Sequence, residues 1–541
     1  MCPGPSHCDG QQGQSSRLDG IRIPDPQVTP KKTRLQCASA ASMTASGTGT
    51  RTVVAVVAGT FLIMFAVSPI SIVLPTLAAQ LGIDLAEASW IMTAYLVPLT
   101  ACLLPSGRLG DRFGHTRIFF WGLVLSTCAA IAGSLAPHWY LLLIARVVQG
   151  VGAALVSANC YPIITETVAS NQRGRGVGIA TMASSLGSMA GTAMGPLFVS
   201  PLTWRWAFAT AAAAGCIAIA VAWPTVVAPT PVQAGASTRR NRTDWPGAIL
   251  LLITLIIASL SLNHFHDGPE TFADGWRWHF PMHGVTAVLF LMFVLIEQRV
   301  PEPLIRFSQF RNIRFSTAMV ANGVLHMTMM MTIFSMPFLM ERGLGMSAVT
   351  TAGLVATMQA VTVAMTLIGG WLYDRTRSPW LCVVGLSCVA GGLTILGLAP
   401  SGMDIVTLFI LIVIMGFGSG IFLTTNNTRI MSALSSDFRG FASGMLETTR
   451  QYGHTLGVAV ATIGLSGVIG GAVTSETNPA VLEGFALSAA VTAAIAWVGV
   501  GLAAYPIWSR TTRISERTDA LDASPIGLAV ETRTTRGSPA R

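Results

Sequence analysis

Hydrophobic residues run through this chain in long blocks, and polar residues gather in short clusters between them. Trp90–Pro105 holds no charged residue, and neither does Ile118–Pro137, yet the stretch between them, "SGRLGDRFGHTR", carries an Asp and three Arg. An apolar block of about 17–25 residues is what a helix needs to cross the hydrocarbon of a bilayer. Reading block by block predicts fourteen helices, at 52–79, 88–106, 117–136, 139–164, 175–200, 205–226, 245–263, 280–297, 314–340, 348–372, 380–399, 404–426, 440–470 and 481–505. A helix satisfies its own backbone groups in lipid, so the expected class is an all-α integral membrane protein.

Composition agrees. Of 541 residues 11% are charged and 52% hydrophobic, with a mean hydropathy of +0.60. A soluble chain is about a quarter charged, so the lipid bilayer is the expected solvent and partner here. The net charge of +9 does not indicate nucleic acid, because the basic residues lie between blocks and form no patch interleaved with aromatics. If the N-terminus is cytosolic, 28 of the 33 Lys and Arg fall in the tails and every second loop. That alternation predicts both termini on the cytosolic side of the plasma (inner) membrane. Six of the nine Cys sit inside apolar blocks, where free thiols act as small hydrophobes. The polar stretches 1–51 and 506–541 are expected to be disordered cytosolic tails, and Met43 is a second candidate start.

One loop occurs twice. "GGWLYDRTRSP" repeats the opening stretch, with Gly370, Asp374 and Arg375 spaced like Gly107, Asp111 and Arg112. Each copy follows the second helix of a six-helix set. The expected layout is an N-terminal bundle at 52–226, a linker with two extra helices at 227–313, and a C-terminal bundle at 314–505. This is a 6+2+6 arrangement of two pseudo-symmetric bundles related by an axis along the membrane normal.

Charged residues inside the blocks carry the candidate chemistry. Arg146 stands in an otherwise uncharged helix, with Gln149 and Gly150 on the same face. A cation there requires a partner or water. Glu447, Arg450, Gln451 and His454 share one helical stripe, with Glu447 about 10 Å inside the boundary. Two readings of Glu447 stand side by side. It is permanently paired with Arg450, or it exchanges a proton because desolvation penalises its charged form, the pair separating in one state. His454 is a secondary proton candidate or a polar lining group.

Elsewhere, Ala183, Gly187, Gly191 and Gly195 recur every four residues up to Pro196, and Gly453, Gly457 and Ala461 do the same later, which allows two backbones to approach closely. Gly195–Pro196 is also a candidate hinge. Asp111 can hold helix ends of its own half as a latch, with Arg112 and Arg117 pairing across or reaching lipid phosphates; the other reading of the cluster is ordinary positive-inside anchoring. The stretch 263–279, rich in His and acids, reads as a flexible outer loop, and the Met-rich run 326–336 as a cavity wall or a lipid-facing surface.

These motifs together resemble the major facilitator superfamily. "GRLGDRFGHTR" is similar to its loop signature, and "RVVQGVGAAL" at 146–155 to its fourth-helix motif. "GTAMGP" at 191–196 resembles the antiporter motif of the fifth helix, and "ETTRQYGHTLGVAV" at 447–460 resembles the penultimate helix of the fourteen-span drug:proton antiporter branch. Two of its motifs depart from that pattern, at three positions. Ala66 stands where the branch usually has an Asp, and Val199 and Ser200 stand where the antiporter motif usually has two glycines.

The resemblance implies a major-facilitator-type fold and proton-driven export of hydrophobic or cationic drugs or natural products by alternating access. It implies a role in proton coupling for Arg146, whose other reading is a structural polar staple. A proton-coupled uptake symporter and a non-transporting membrane sensor or scaffold are the other readings. No phosphate loop, nucleophile elbow or metal-ligand spacing occurs in a span, so neither an enzyme nor a cofactor is expected. The expected partners are a hydrophobic small molecule and protons, and the carrier is expected to be a monomer.

Overall fold

The computed structural model describes residues 31–83, 85–168, 173–199, 204–227, 244–262, 268–301, 303–398, 403–435, 438–469 and 480–522. The chain divides into compact units at 1–47 and 48–541. Of the first unit, residues 31–47 are described, and they are helical. Within the expected tails the chain is thus helical from Lys31, and at the other end it stays helical as far as Asp522.

Regular structure among the described residues is entirely helical. The α-helices are α1 (Lys31–Leu81), α2 (Leu85–Phe113), α3 (His115–Ser134), α4 (Trp139–Thr167), α5 (Arg173–Val199), α6 (Arg205–Val227) and α7 (Trp245–Leu262). They continue as α8 (Gly268–Glu297), α9 (Ile313–Pro337), α10 (Ala348–Thr376), α11 (Trp380–Leu398), α12 (Ile405–Ala433), α13 (Arg439–Ile469) and α14 (Ala480–Asp522). Eleven are long and apolar enough to cross a membrane. The exceptions are α5, whose apolar length is diluted by glycine and serine, α13, which carries the polar stripe, and α7, whose apolar part is the shorter Pro246–Ser261.

The expected loop at 263–279 is helical from Gly268, with Pro269 in the first turn, where its missing amide proton costs nothing. Large apolar side chains such as Trp121, Ile144, Ile217, Leu291, Leu367 and Val498 cover the outside. Such a continuous apolar surface is stable only against lipid. The Met-rich run does not join it: Met327, Met330, Met331, Met336, Phe334 and Phe338 are buried, so the lipid-facing reading is corrected. The apolar-block cysteines Cys102, Cys128, Cys160, Cys216, Cys382 and Cys388 are free thiols.

Helix contacts repeat along the chain. α4 packs against α2 and α3, and α3 against α6; eight helices later α12 packs against α10 and α11, and α11 against α14. The glycine steps account for two more pairs. A β-carbon on Gly187 would lie 2.3 Å from the Phe61 carbonyl oxygen of α1, and one on Gly453 would lie 2.5 Å from the Gly323 oxygen of α9. Between the two sets, α2 meets α13 and α5 meets α10, where Gln359 Nε2 donates to Thr192 Oγ1 at 2.9 Å.

Helices α7 and α8 are held by polar contacts at one end. Asp244 caps α7 by accepting from the Gly247 amide at 3.0 Å. The Glu297 carboxylate accepts from the amides of Leu304 and Ile305 at 3.2 and 3.4 Å. Arg108, at the end of α2, donates to the Pro303 carbonyl at 3.2 Å.

Candidate functional site: a polar interior between α2, α4 and α13

Two polar groups stand in the apolar interior, one on each set of helices. On α4, Arg146 is fully buried. Its Nε donates to the Ile91 carbonyl at 2.9 Å, and its Nη1 to Gln149 Oε1 at 2.8 Å. The guanidinium lies over the Tyr95 ring of α2, 4.3 Å from its centre, a contact that favours a desolvated cation. Gly150 permits this approach, since a β-carbon there would lie 2.3 Å from the Tyr95 carbonyl oxygen.

On α13, Glu447 is 3% exposed. Its Oε1 accepts from Arg450 Nη2 at 2.6 Å and from Gln451 Nε2 at 2.8 Å, so the helical stripe closes on itself. His454 Nε2 lies 3.2 Å from Nδ1 of His326 on α9, with the two rings edge to face. Nearby, Asn322 Nδ2 donates to Thr449 Oγ1 at 2.9 Å, fixing α9 to α13 below the imidazoles.

The two groups belong to helices in contact: α2, which carries Tyr95 under Arg146, and α4 both pack against α13. Five buried polar atoms in this interior have no hydrogen-bond partner: Tyr95 Oη, Arg146 Nη2, Glu447 Oε2, Arg450 Nε and Gln451 Oε1. Buried polar atoms are nearly always satisfied, so five together set this interior apart from the packed helices around it. Of the predicted residues, Arg146, Gln149, Gly150, Glu447, Arg450 and His454 therefore meet around one interior. Tyr95 and His326 complete it and were missed. A single aromatic or imidazole in an apolar block has no partner in sequence that would single it out.

The loop copies are a separate feature at the helix ends. Asp111 is exposed and pairs with His115 at 3.3 Å. The same imidazole reaches Glu166 at 3.5 Å and Asn159 Oδ1 at 2.7 Å. This network joins the ends of α2, α3 and α4, all on one side of the molecule. Of the two expectations for Arg112 and Arg117, an ion pair is not seen among the described residues, and exposure leaves both free to reach lipid phosphates: Arg112 stacks on Phe113, 5.1 Å from its ring centre, and Arg117 is exposed. Exposure makes water the cheaper partner for these guanidiniums than a surface ion pair.

Gly107 faces open space, whereas Gly110 is sterically required: a β-carbon there would lie 1.8 Å from Asn159 Oδ1. The chain then turns at Gly114 with φ 96°, a region that favours glycine. In the second copy Asp374 is exposed, Arg375 stacks on Trp371 and Gly370 lies against Thr424, while Arg377 takes the left-handed turn with φ 51°. In α5, Gly191 and Gly195 press on Phe65 and Ile72 of α1, as their spacing predicts, and the side chain of Pro196 lies outside the described residues.

Known proteins share both sequence and fold with this chain. It is 28% identical over 427 residues to the Cephamycin export protein CmcT of Amycolatopsis lactamdurans, covering 77% of this chain and 85% of the relative. It is 24% identical over 402 residues to the Riboflavin transporter RibZ of Clostridioides difficile (strain 630), covering 74% and 85%. A solved bacterial homologue of the human lysosomal transporter Spinster superimposes with a TM-score of 0.58 at 16% identity, covering 84% of this chain and 96% of that one. The sequence model of one family matches residues 56–458, across the repeated loop, the polar interior and the packed helices described above: the chain belongs to the Major Facilitator Superfamily, as a multi-pass integral membrane transporter.

Proposed function

We propose that this chain is a proton-driven carrier of the plasma membrane that exports hydrophobic small molecules by alternating access. Its fourteen helices work as a 6+2+6 assembly with both termini cytosolic. The observation that carries this reading is the set of five unpartnered polar atoms where α2 and α4 meet α13. A transporter has to accommodate water, protons and cargo between its halves, and a scaffold gains nothing from unsatisfied polar groups in lipid. The recurrence of helix contacts eight helices apart supports two halves that tilt about this interior. The export protein among its relatives supports the direction.

Glu447 is the proton-exchanging group in this reading. Its Oε1 is held by Arg450 and Gln451, while Oε2 has no partner and can take a proton without breaking either bond. Arg146 holds the first half of the interior in place. The Asp111–His115–Asn159 network latches the cytosolic ends of α2, α3 and α4, and Gly195–Pro196 bends α5.

The test is flux in inverted vesicles acidified inside. Substrate uptake driven by the pH step means export. Proton-coupled loss of preloaded substrate means symport, and no flux sinks the carrier reading. Glu447→Gln is expected to abolish proton-coupled flux while leaving folded yield near wild type, because a glutamine amide oxygen still accepts from Arg450 and Gln451. Coupled transport surviving that substitution removes Glu447 from the proton path.

A further inference from the structure

We infer that the central site selects uncharged, hydrogen-bond-accepting molecules and rejects cations; this names the cargo of the carrier proposed above and rests on that reading. The acidic and basic side chains named in this interior are Arg146, Arg450 and Glu447. Two positive charges face one negative charge, and whenever Glu447 holds a proton both guanidiniums are uncompensated. The imidazoles of His326 and His454 stand beside Arg450 and add no negative charge.

A second acid would cancel this excess, but α1 supplies none in its stretch facing the interior. Its interior-facing stretch "FAVSPISIVLP" carries Ala66, Ser68 and Ser71. Ser68 and Ser71 are buried and bonded to each other's neighbourhood: Ser68 Oγ lies 2.9 Å from Ser188 Oγ, and Ser71 donates to the Ser68 carbonyl at 2.8 Å. Of the five open polar atoms, Arg146 Nη2 and Arg450 Nε are obligatory donors, Glu447 Oε2 and Gln451 Oε1 accept, and Tyr95 Oη can do either. Obligatory donors are satisfied by carbonyl, ether or phenol oxygens on the cargo. A cation brings no acceptor and meets net positive charge in a medium of low dielectric constant, where like charges repel far more strongly than in water.

The experiment uses two naphthyl probes of the same shape, one ending in a trimethylammonium group and the other in the isosteric neutral tert-butyl group. A third probe replaces the tert-butyl group with an acetyl ketone. Binding to the purified full-length carrier is measured by competition, and flux in the same preparation in proteoliposomes. The neutral probe is expected to bind at least about tenfold more tightly than its ammonium twin, the factor that one unit charge at partial screening supplies, and the ketone more tightly still. Arg146→Gln and Arg450→Gln are expected to narrow the neutral-to-cation ratio. The lysine variants, which keep the charge, preserve it and control for misfolding.

Equal or tighter binding of the ammonium probe to wild type overturns the inference, with no variant needed. The two levels separate cleanly. Proton-driven flux of the ammonium probe sinks the cargo assignment and leaves the carrier standing. Selective binding of the neutral probes without proton-driven flux sinks the coupling and leaves the selectivity standing.

Discussion

Gly110 carries no chemistry, yet a β-carbon on it would fall on Asn159 Oδ1 and close to His115 Nδ1. Gly110→Ala is therefore expected to push apart the ends of α2, α3 and α4, costing roughly 1–3 kcal/mol, as overpacking does. The checks are thermal unfolding in detergent and turnover, with Gly107→Ala, which meets open space, as the neutral control. Glu447 and its stripe were legible in the sequence because four polar residues at helical spacing inside an apolar block have few explanations. Asp111 was legible because its loop occurs twice. Its true partner was not, since His115 reads as one more basic loop residue and Asn159 as a lone polar residue in a helix. What ties them is a three-helix junction, which is a property of packing and not of spacing.

Helices α5 and α13 are the elements whose sequence says most about packing and least about crossing the membrane. Their glycines let carbonyl oxygens of α1 and α9 come within what would be 2.3 and 2.5 Å of a β-carbon. Gly453→Leu is expected to force α13 off α9, separating His454 from His326 and lowering the melting temperature by several degrees, in line with about 1–3 kcal/mol of overpacking. Gly501→Ala, on α14 with nothing nearby, is expected to change neither. A melting point for the Gly453 variant equal to that of the Gly501 variant would show that the ladder does not hold the helices. The four-residue step announced this contact. The helical start of α8 at Gly268 was not announced, because its first turns are rich in charge and read as loop.

At the scale of the whole molecule, α7 and α8 join the rest through an apolar cluster around Phe293, Leu304 and Phe315 and through a few polar groups beside it. Glu297 accepts two backbone amides of the segment that follows α8, and Arg108 reaches that segment from the repeated loop. Glu297→Ala would leave the buried amides of Leu304 and Ile305 without an acceptor, a loss of about 1–3 kcal/mol. Limited proteolysis is expected to cut faster between α8 and α9, and an unchanged digestion pattern would mean the segment is held elsewhere. The order of helices along the chain was visible beforehand in the apolar blocks. The grip on the connector was not, since it depends on backbone amides that no side-chain pattern reveals.

Helix α4 carries both Arg146, deep among apolar side chains, and Asn159, wedged against Gly110 at the rim. Its proline, Pro162, comes only after Asn159, so the stretch joining the two residues is an unbroken push-rod about 20 Å long. Whatever shifts the guanidinium lengthwise must arrive undamped at the asparagine, which has no slack to absorb it. The fold thus contains a mechanical linkage whose handle lies at the surface, where a spectroscopic label near His115 would register events at the buried cation.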